Sequence, residues 1–157
     1  MKTDIVLCGV GGQGVLSAAA ILAEAAVRKG LEVREGEVHG MAQRGGAVQA
    51  SLRISDLSIP GELIPRGTAD LLLSLEPLET LRYLDWLGPE GWVVAAAEPV
   101  RNIPDYPPLE EVHAEAHHRE HGTTPDELDR LDAGLGHPAW DPHGHALSLI
   151  HISEPTR

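Results

Sequence analysis

The chain predicts an α/β fold, a parallel sheet flanked by helices. Three observations point there. A short apolar run, Asp4 to Cys8, leads into a glycine-rich turn and then into an alanine-rich helical stretch. Further apolar runs recur along the chain with Gly- and Pro-marked loops between them. Leu71-Leu72-Leu73-Ser74-Leu75 is a nearly unbroken apolar run, the pattern of a central strand covered on both faces. Alternation of strands and helices favours parallel pairing.

In chain order, Asp4 to Cys8 reads as a buried strand stopped by Gly9. Val15 to Lys29 is a helix ended by Gly30, and its many alanines let it lie close on a sheet, so it is expected to be well buried. Leu31 to Val38 is a second strand. Ala47 to Ile54 alternates through Val48, Ala50, Leu52 and Ile54, a strand with one face in the core. Pro60-Gly61 and Pro65-Arg66-Gly67 mark a loop before the Leu71–Leu75 strand. Leu78 to Leu87 is a helix with Leu78, Leu81, Leu84 and Leu87 on one stripe, and Trp92 to Ala97 is another buried strand.

The 157 residues suit one domain, and 42% hydrophobic with 23% charged residues is a globular composition. With no Phe, the core must rest on Leu, Val, Ile and Ala. A net charge of −12 repels phosphate backbones, which argues against nucleic acid as a partner. The single cysteine, Cys8, forms no intrachain disulfide and suits a reducing compartment. The run Ile5–Cys8 is too short for a signal peptide, and Val15–Val27, interrupted by Glu24, is too short to span a bilayer. A cytoplasmic protein with no membrane partner is expected.

Gly9, Gly11 and Gly14 fit G-x-G-x-x-G between a strand and a helix, the opening of a Rossmann-like unit. Glycine there allows a tight turn and close approach of the backbone to a ligand. The following helix start offers unpaired N–H groups to an anion. A dinucleotide site would also want an acidic residue about 20 positions on, and Glu35 and Glu37 lie near that distance. A role confined to turn and packing is the plain alternative.

The loop is richer than the bare fingerprint. Gly9-Val10-Gly11-Gly12-Gln13-Gly14-Val15, with Glu37-Val38-His39-Gly40-Met41-Ala42-Gln43-Arg44-Gly45-Gly46, resembles the gamma-type domain of 2-oxoacid:ferredoxin oxidoreductases. Leu63-Ile64-Pro65 and Ala69 to Glu79 resemble the same family, and Val38 to Gly46 is most like the beta subunits of its indolepyruvate branch. The resemblance covers residues 1–111. It implies the non-cluster subunit of a heteromeric enzyme that oxidatively decarboxylates an aryl pyruvate with coenzyme A, giving an acyl-CoA, carbon dioxide and reduced ferredoxin. It further implies that thiamine diphosphate, magnesium and 4Fe–4S clusters reside on a larger alpha subunit. One cysteine cannot ligate such a cluster, and no Gly-Asp-Gly segment is present to hold a magnesium diphosphate, so no cofactor is expected on this chain alone and no metal site is assigned to it.

Ligands of open parallel sheets bind beyond the strands' carboxyl ends. Three stretches are expected there: Gly9–Gly14, His39–Gly46 and Glu76-Pro77. Candidate anion or coenzyme A contacts are Gly9, Gly11, Gly12, Gln13, Gly14, Gln43 and Arg44. Arg44 offers a planar fork to an anionic group, and the two glutamines offer neutral hydrogen bonds. His39 titrates near neutrality and is, with Arg44, the only catalytic candidate. The plain alternatives are that Arg44 pairs with Glu37 or with the alpha subunit, that His39 is a satisfied polar residue, and that Glu76 caps the next helix. Two other functions stand beside the enzyme reading, an NAD-type dinucleotide-binding domain and a non-catalytic docking module.

After about Glu111 the composition changes. Eight of the nine histidines lie between His113 and His151. His113, His117 and His121 have ligand spacing on a helix, yet apolar residues become scattered. The stretch resembles an out-of-frame translation of GC-rich DNA, and Leu147–Arg157 resembles a translated adapter. Residues 112–157 are therefore expected to be a non-native or disordered tail, with the sheet truncated at its C-terminal end.

Overall fold

The computed structural model describes residues 1–39, 45–101, 103–121 and 147–151. Its elements are β1 (Lys2–Val10), α1 (Val15–Arg28), β2 (Glu32–His39), β3 (Ala47–Ser55), β4 (Ala69–Ser74), α2 (Pro77–Tyr83), β5 (Leu87–Ala96), α3 (Leu109–His121) and β6 (Leu147–His151). The strands form one sheet in the order β2-β3-β1-β4-β5-β6. β1 pairs parallel with β4, and β4 parallel with β5. β3 is antiparallel to both β1 and β2, and β6 is antiparallel to β5.

The α/β class and the flanking helices agree with the sequence. The sheet, however, is mixed rather than parallel throughout. β1, α1 and β2 do make a unit whose two strands run the same way. β3 is inserted between those strands because residues 40–46 are too few for a crossover, which needs a dozen or more. The chain can only turn back as a hairpin.

β1 sits inside the sheet, and every residue from Asp4 to Val10 is buried. Its side chains alternate between two cores. Ile5 and Leu7 face α1 with Val15, Ala19, Ala50 and Leu52. Val6 and Cys8 face the other way with Leu72, Val93, Tyr83, Leu84 and Ala116. α1 is less buried than expected. Its small residues Ala19 and Ala26 are buried, but Ile21 is 70% exposed, because the sheet covers only one side of the helix.

The expected helix Leu78–Leu87 ends early. α2 stops at Tyr83, a 3-10 turn covers Leu84–Trp86, and Leu87 already opens β5 opposite Ala69. Gly88-Pro89 cannot continue a helix, and the residue before a proline is pushed toward extended backbone. α3 runs across residue 111, the expected end of the domain, and buries Val112 and Ala116. His113, His117 and His121 are positions of this helix. β6 falls in the stretch expected to be a tail, while residues 122–146 and 152–157 of that stretch lie outside the described residues.

Candidate functional site

β1, β2, β4 and β5 run in one direction, so their carboxyl ends share one rim of the sheet. The glycine loop leaves β1 there. Gly9 is a tightly packed position. A Cβ on Gly9 would lie 2.8 Å from Gln13 Oε1, 2.9 Å from Val15 Cγ2 and 3.2 Å from Leu75 Cβ. Gly12 and Gly14 are needed for a different reason. Their φ angles are 100° and 84°, and a Cβ on either would meet nothing within 4 Å. The backbone demands glycine, and the space above it is open.

Two hydrogen bonds tie the loop to its neighbours. Gly11 N donates to Gly46 O at 2.8 Å, which joins it to the end of the β2–β3 connection. Gln13 Nε2 donates to Leu75 O at 2.5 Å, while Gln13 Oε1 accepts from Val10 N at 2.7 Å. The amide expected to reach a ligand is thus engaged within the protein. Gly14 then starts α1 with no side-chain cap and with no acidic residue in the first turn. The first N–H groups of a helix have no intrahelical partner, and they mark its positive end. Such an end receives an anion well.

The third stretch is built differently. Glu76 is 1% exposed and caps α2, its Oε2 accepting from Glu79 N at 3.0 Å. Its Oε1 accepts from Tyr106 Oη at 2.6 Å. Burial, this bond and the Glu76 charge push the Tyr106 phenol up from its ordinary range. Glu76 is therefore a helix cap held from across the rim. Sequence reading missed Tyr106, and the one signal for it was an isolated tyrosine in a chain with only two.

His39 ends β2 opposite Val48. Gln43 and Arg44 lie outside the described residues. Cys8 is fully buried, and burial raises its thiol to about 12, so it offers no thiolate to the rim. Glu35 and Glu37 stand on β2, two strands from β1, which is roughly 10 Å across the sheet. A dinucleotide ribose would need its acid on the strand next to the glycine loop. The insertion of β3 removes that arrangement.

The comparisons with known proteins agree with this fold. The family model described as pyruvate ferredoxin/flavodoxin oxidoreductase matches residues 4–127. A subunit named indolepyruvate oxidoreductase subunit IorB from Pyrococcus horikoshii is 46% identical over 115 residues, covering 69% of this chain and 56% of that protein. Its counterpart from Thermococcus kodakarensis is 45% identical with the same coverage. The crystal structure of a keto/oxoacid ferredoxin oxidoreductase gamma subunit from Geobacter sulfurreducens superimposes with a TM-score of 0.53 at 28% identity, over 67% of this chain and 56% of that one. The fold is thus that of a gamma-type α/β domain. The chain belongs to the pyruvate ferredoxin/flavodoxin oxidoreductase family, and its likeness there runs to subunits named for indolepyruvate. It spans 56% of the length of those two relatives.

Proposed function

We propose that this chain is the small, cluster-free subunit of a heteromeric 2-oxoacid:ferredoxin oxidoreductase acting on indolepyruvate or another aryl pyruvate. In that reaction the 2-oxoacid loses carbon dioxide, its acyl group passes to the coenzyme A thiol, and the electrons released reduce ferredoxin. The larger partner subunit supplies thiamine diphosphate with magnesium and the iron–sulfur clusters, and ferredoxin is reached through the complex. When bound there, thiamine diphosphate supplies the carbanion chemistry.

This chain's share is a docking rim. The observation that carries the reading is the Gly11–Gly46 hydrogen bond, which joins the glycine loop to the end of the β2–β3 connection next to the uncapped start of α1. Coenzyme A is a polyanion, and the open space over Gly12 and Gly14 lets phosphate oxygens approach backbone N–H groups. In this reading Gln43 and Arg44 add contacts from the second loop, and His39 holds or moves a proton at its base. The rim faces the partner near its thiamine or coenzyme A site.

The test is co-expression with the larger subunit. The pair should reduce ferredoxin with indolepyruvate and coenzyme A, and neither chain should do so alone. Arg44→Ala should raise the coenzyme A requirement or lower turnover. Unchanged kinetics would remove Arg44 from the site, and a chain that binds NAD tightly while ignoring the larger subunit would overturn the whole reading.

A further inference from the structure

We propose that Gln13 is a positioning residue that holds the glycine loop in its open shape by clamping it to the end of β4. The inference rests on the rim being the docking site and names what gives that rim its form.

The side-chain amide joins two strands. Its oxygen accepts from Val10 N at the end of β1, and its nitrogen donates to Leu75 O just beyond β4. The main chain closes the same ring, with Gln13 N donating to Val10 O at 3.1 Å. Leu75 N donates in turn to Cys8 O at 2.8 Å, so the clamp extends the β1–β4 ladder into the loop. Gly9 supplies the seat. The missing Cβ of Gly9 lies 2.8 Å from the Gln13 oxygen, so any side chain there would evict the amide. One contact thereby accounts for two motif positions.

The loop is anchored on both flanks, by Gln13 to β4 and by Gly11 to Gly46. Gly12 between the anchors and Gly14 just after them keep positive φ angles with open space above them. Packing of α1 uses Val15, Ala19 and Ala26 and needs neither anchor. Releasing the clamp should therefore leave the fold in place and let the loop's N–H groups turn away from a bound anion. Asn at this position is one methylene too short to span both partners. Glu is isosteric, but its carboxylate sets an acceptor against the Leu75 carbonyl. Once protonated, Glu restores both bonds, since its C=O accepts from Val10 N and its O–H donates to Leu75 O.

The experiment uses Gln13→Ala and Gln13→Glu in the full chain, alone and with its larger partner. In the chain alone, amide hydrogen exchange at residues 10–14 should quicken about tenfold in both variants near pH 8 while α1 stays protected. In the complex, KM for coenzyme A should rise about tenfold with kcat within about twofold, the loss of ground-state positioning for one substrate. On acidification Gln13→Glu should recover toward wild type, whereas Gln13→Ala should not. Unchanged loop exchange, or faster exchange with unchanged KM, overturns the positioning role, and so does the absence of acid recovery. A wild-type complex that turns over without coenzyme A instead overturns the functional reading, with the exchange result still reporting on the clamp itself.

Discussion

The two ends of β1 are built by opposite means. At the amino end Asp4 is wholly buried and surrounded by charge. Arg53 donates to it through Nε at 2.9 Å and through a second guanidinium nitrogen at 3.2 Å, and Lys2 Nζ lies 2.8 Å from Oδ2. Arg53 also donates to Gly61 O and Leu63 O, which pins the β3–β4 connection over the sheet. At the carboxyl end, the loop is shaped by backbone groups and one neutral amide. The first end satisfies its polar groups within the protein and leaves little for a ligand. The second holds its shape while leaving open space over Gly12 and Gly14. A charged lock and an open loop thus share one strand, and only the loop end depends on glycine.

The largest effect should come from opening the lock. Asp4→Ala leaves the Arg53 guanidinium, 8% exposed, without its counter-ion, and should cost about 3–5 kcal/mol in urea unfolding. Replacing both partners with apolar residues of similar volume should recover most of that loss. If the single and double variants are equally unstable, the ion pair is not what holds this end. Acid should act on the same group. Burial alone would raise the Asp4 carboxyl, but hydrogen bonds from Arg53 and Lys2 outweigh it and hold the carboxyl lowered. A lowered acid stabilises the fold fully above the usual carboxylate range and ceases to do so as pH falls through its own folded value. Stability should therefore fall on the acid side, and Asp4→Asn should flatten that limb.

Smaller effects should follow at the rim. Tyr106→Phe removes a donor from the buried Glu76 carboxylate and should cost about 1.5–3 kcal/mol by thermal or urea unfolding. Gly9→Ala presses a methyl against Gln13, Val15 and Leu75 and should cost about 1–3 kcal/mol, with the loop rather than α1 losing exchange protection. A neutral result for Gly9→Ala would mean that the carboxyl end is as forgiving as an ordinary loop, and the contrast between the two ends would fail.

Much of this was legible in the residues themselves. Leu71–Leu75 announced a strand covered on both faces, and Gly9–Gly14 announced a turn between strand and helix. Both signals are local, because periodicity and backbone permission are set within a few residues. The antiparallel return of β3 was harder to see. It follows from the brevity of residues 40–46, but apolar alternation reads the same in either strand direction. The early end of α2 was available in Gly88-Pro89 and was outweighed by the leucine stripe through Leu87. The role of Gln13 as a clamp could not be read, since its partners Val10 and Leu75 meet only when β1 and β4 pair. The same holds for Asp4 with Arg53 and for Glu76 with Tyr106, contacts made across 49 and 30 positions of sequence.

The mildest test separates core from rim at a single residue. Cys8 immediately precedes Gly9, yet its side chain turns to the core with Val6, Leu72 and Val93. Burial lifts its thiol to about 12, above the value its bond with Ser74 would favour. Reaction with a thiol reagent requires both a thiolate and access, and the native state denies both. The folded chain should therefore show no labelling at pH 8 on the timescale of minutes, and full labelling once unfolded. The rate measured between those limits reports how often the carboxyl end of β1 opens. Rapid labelling of the folded chain would mean that the strand end frays together with the loop, leaving Gln13 no fixed ladder to clamp against.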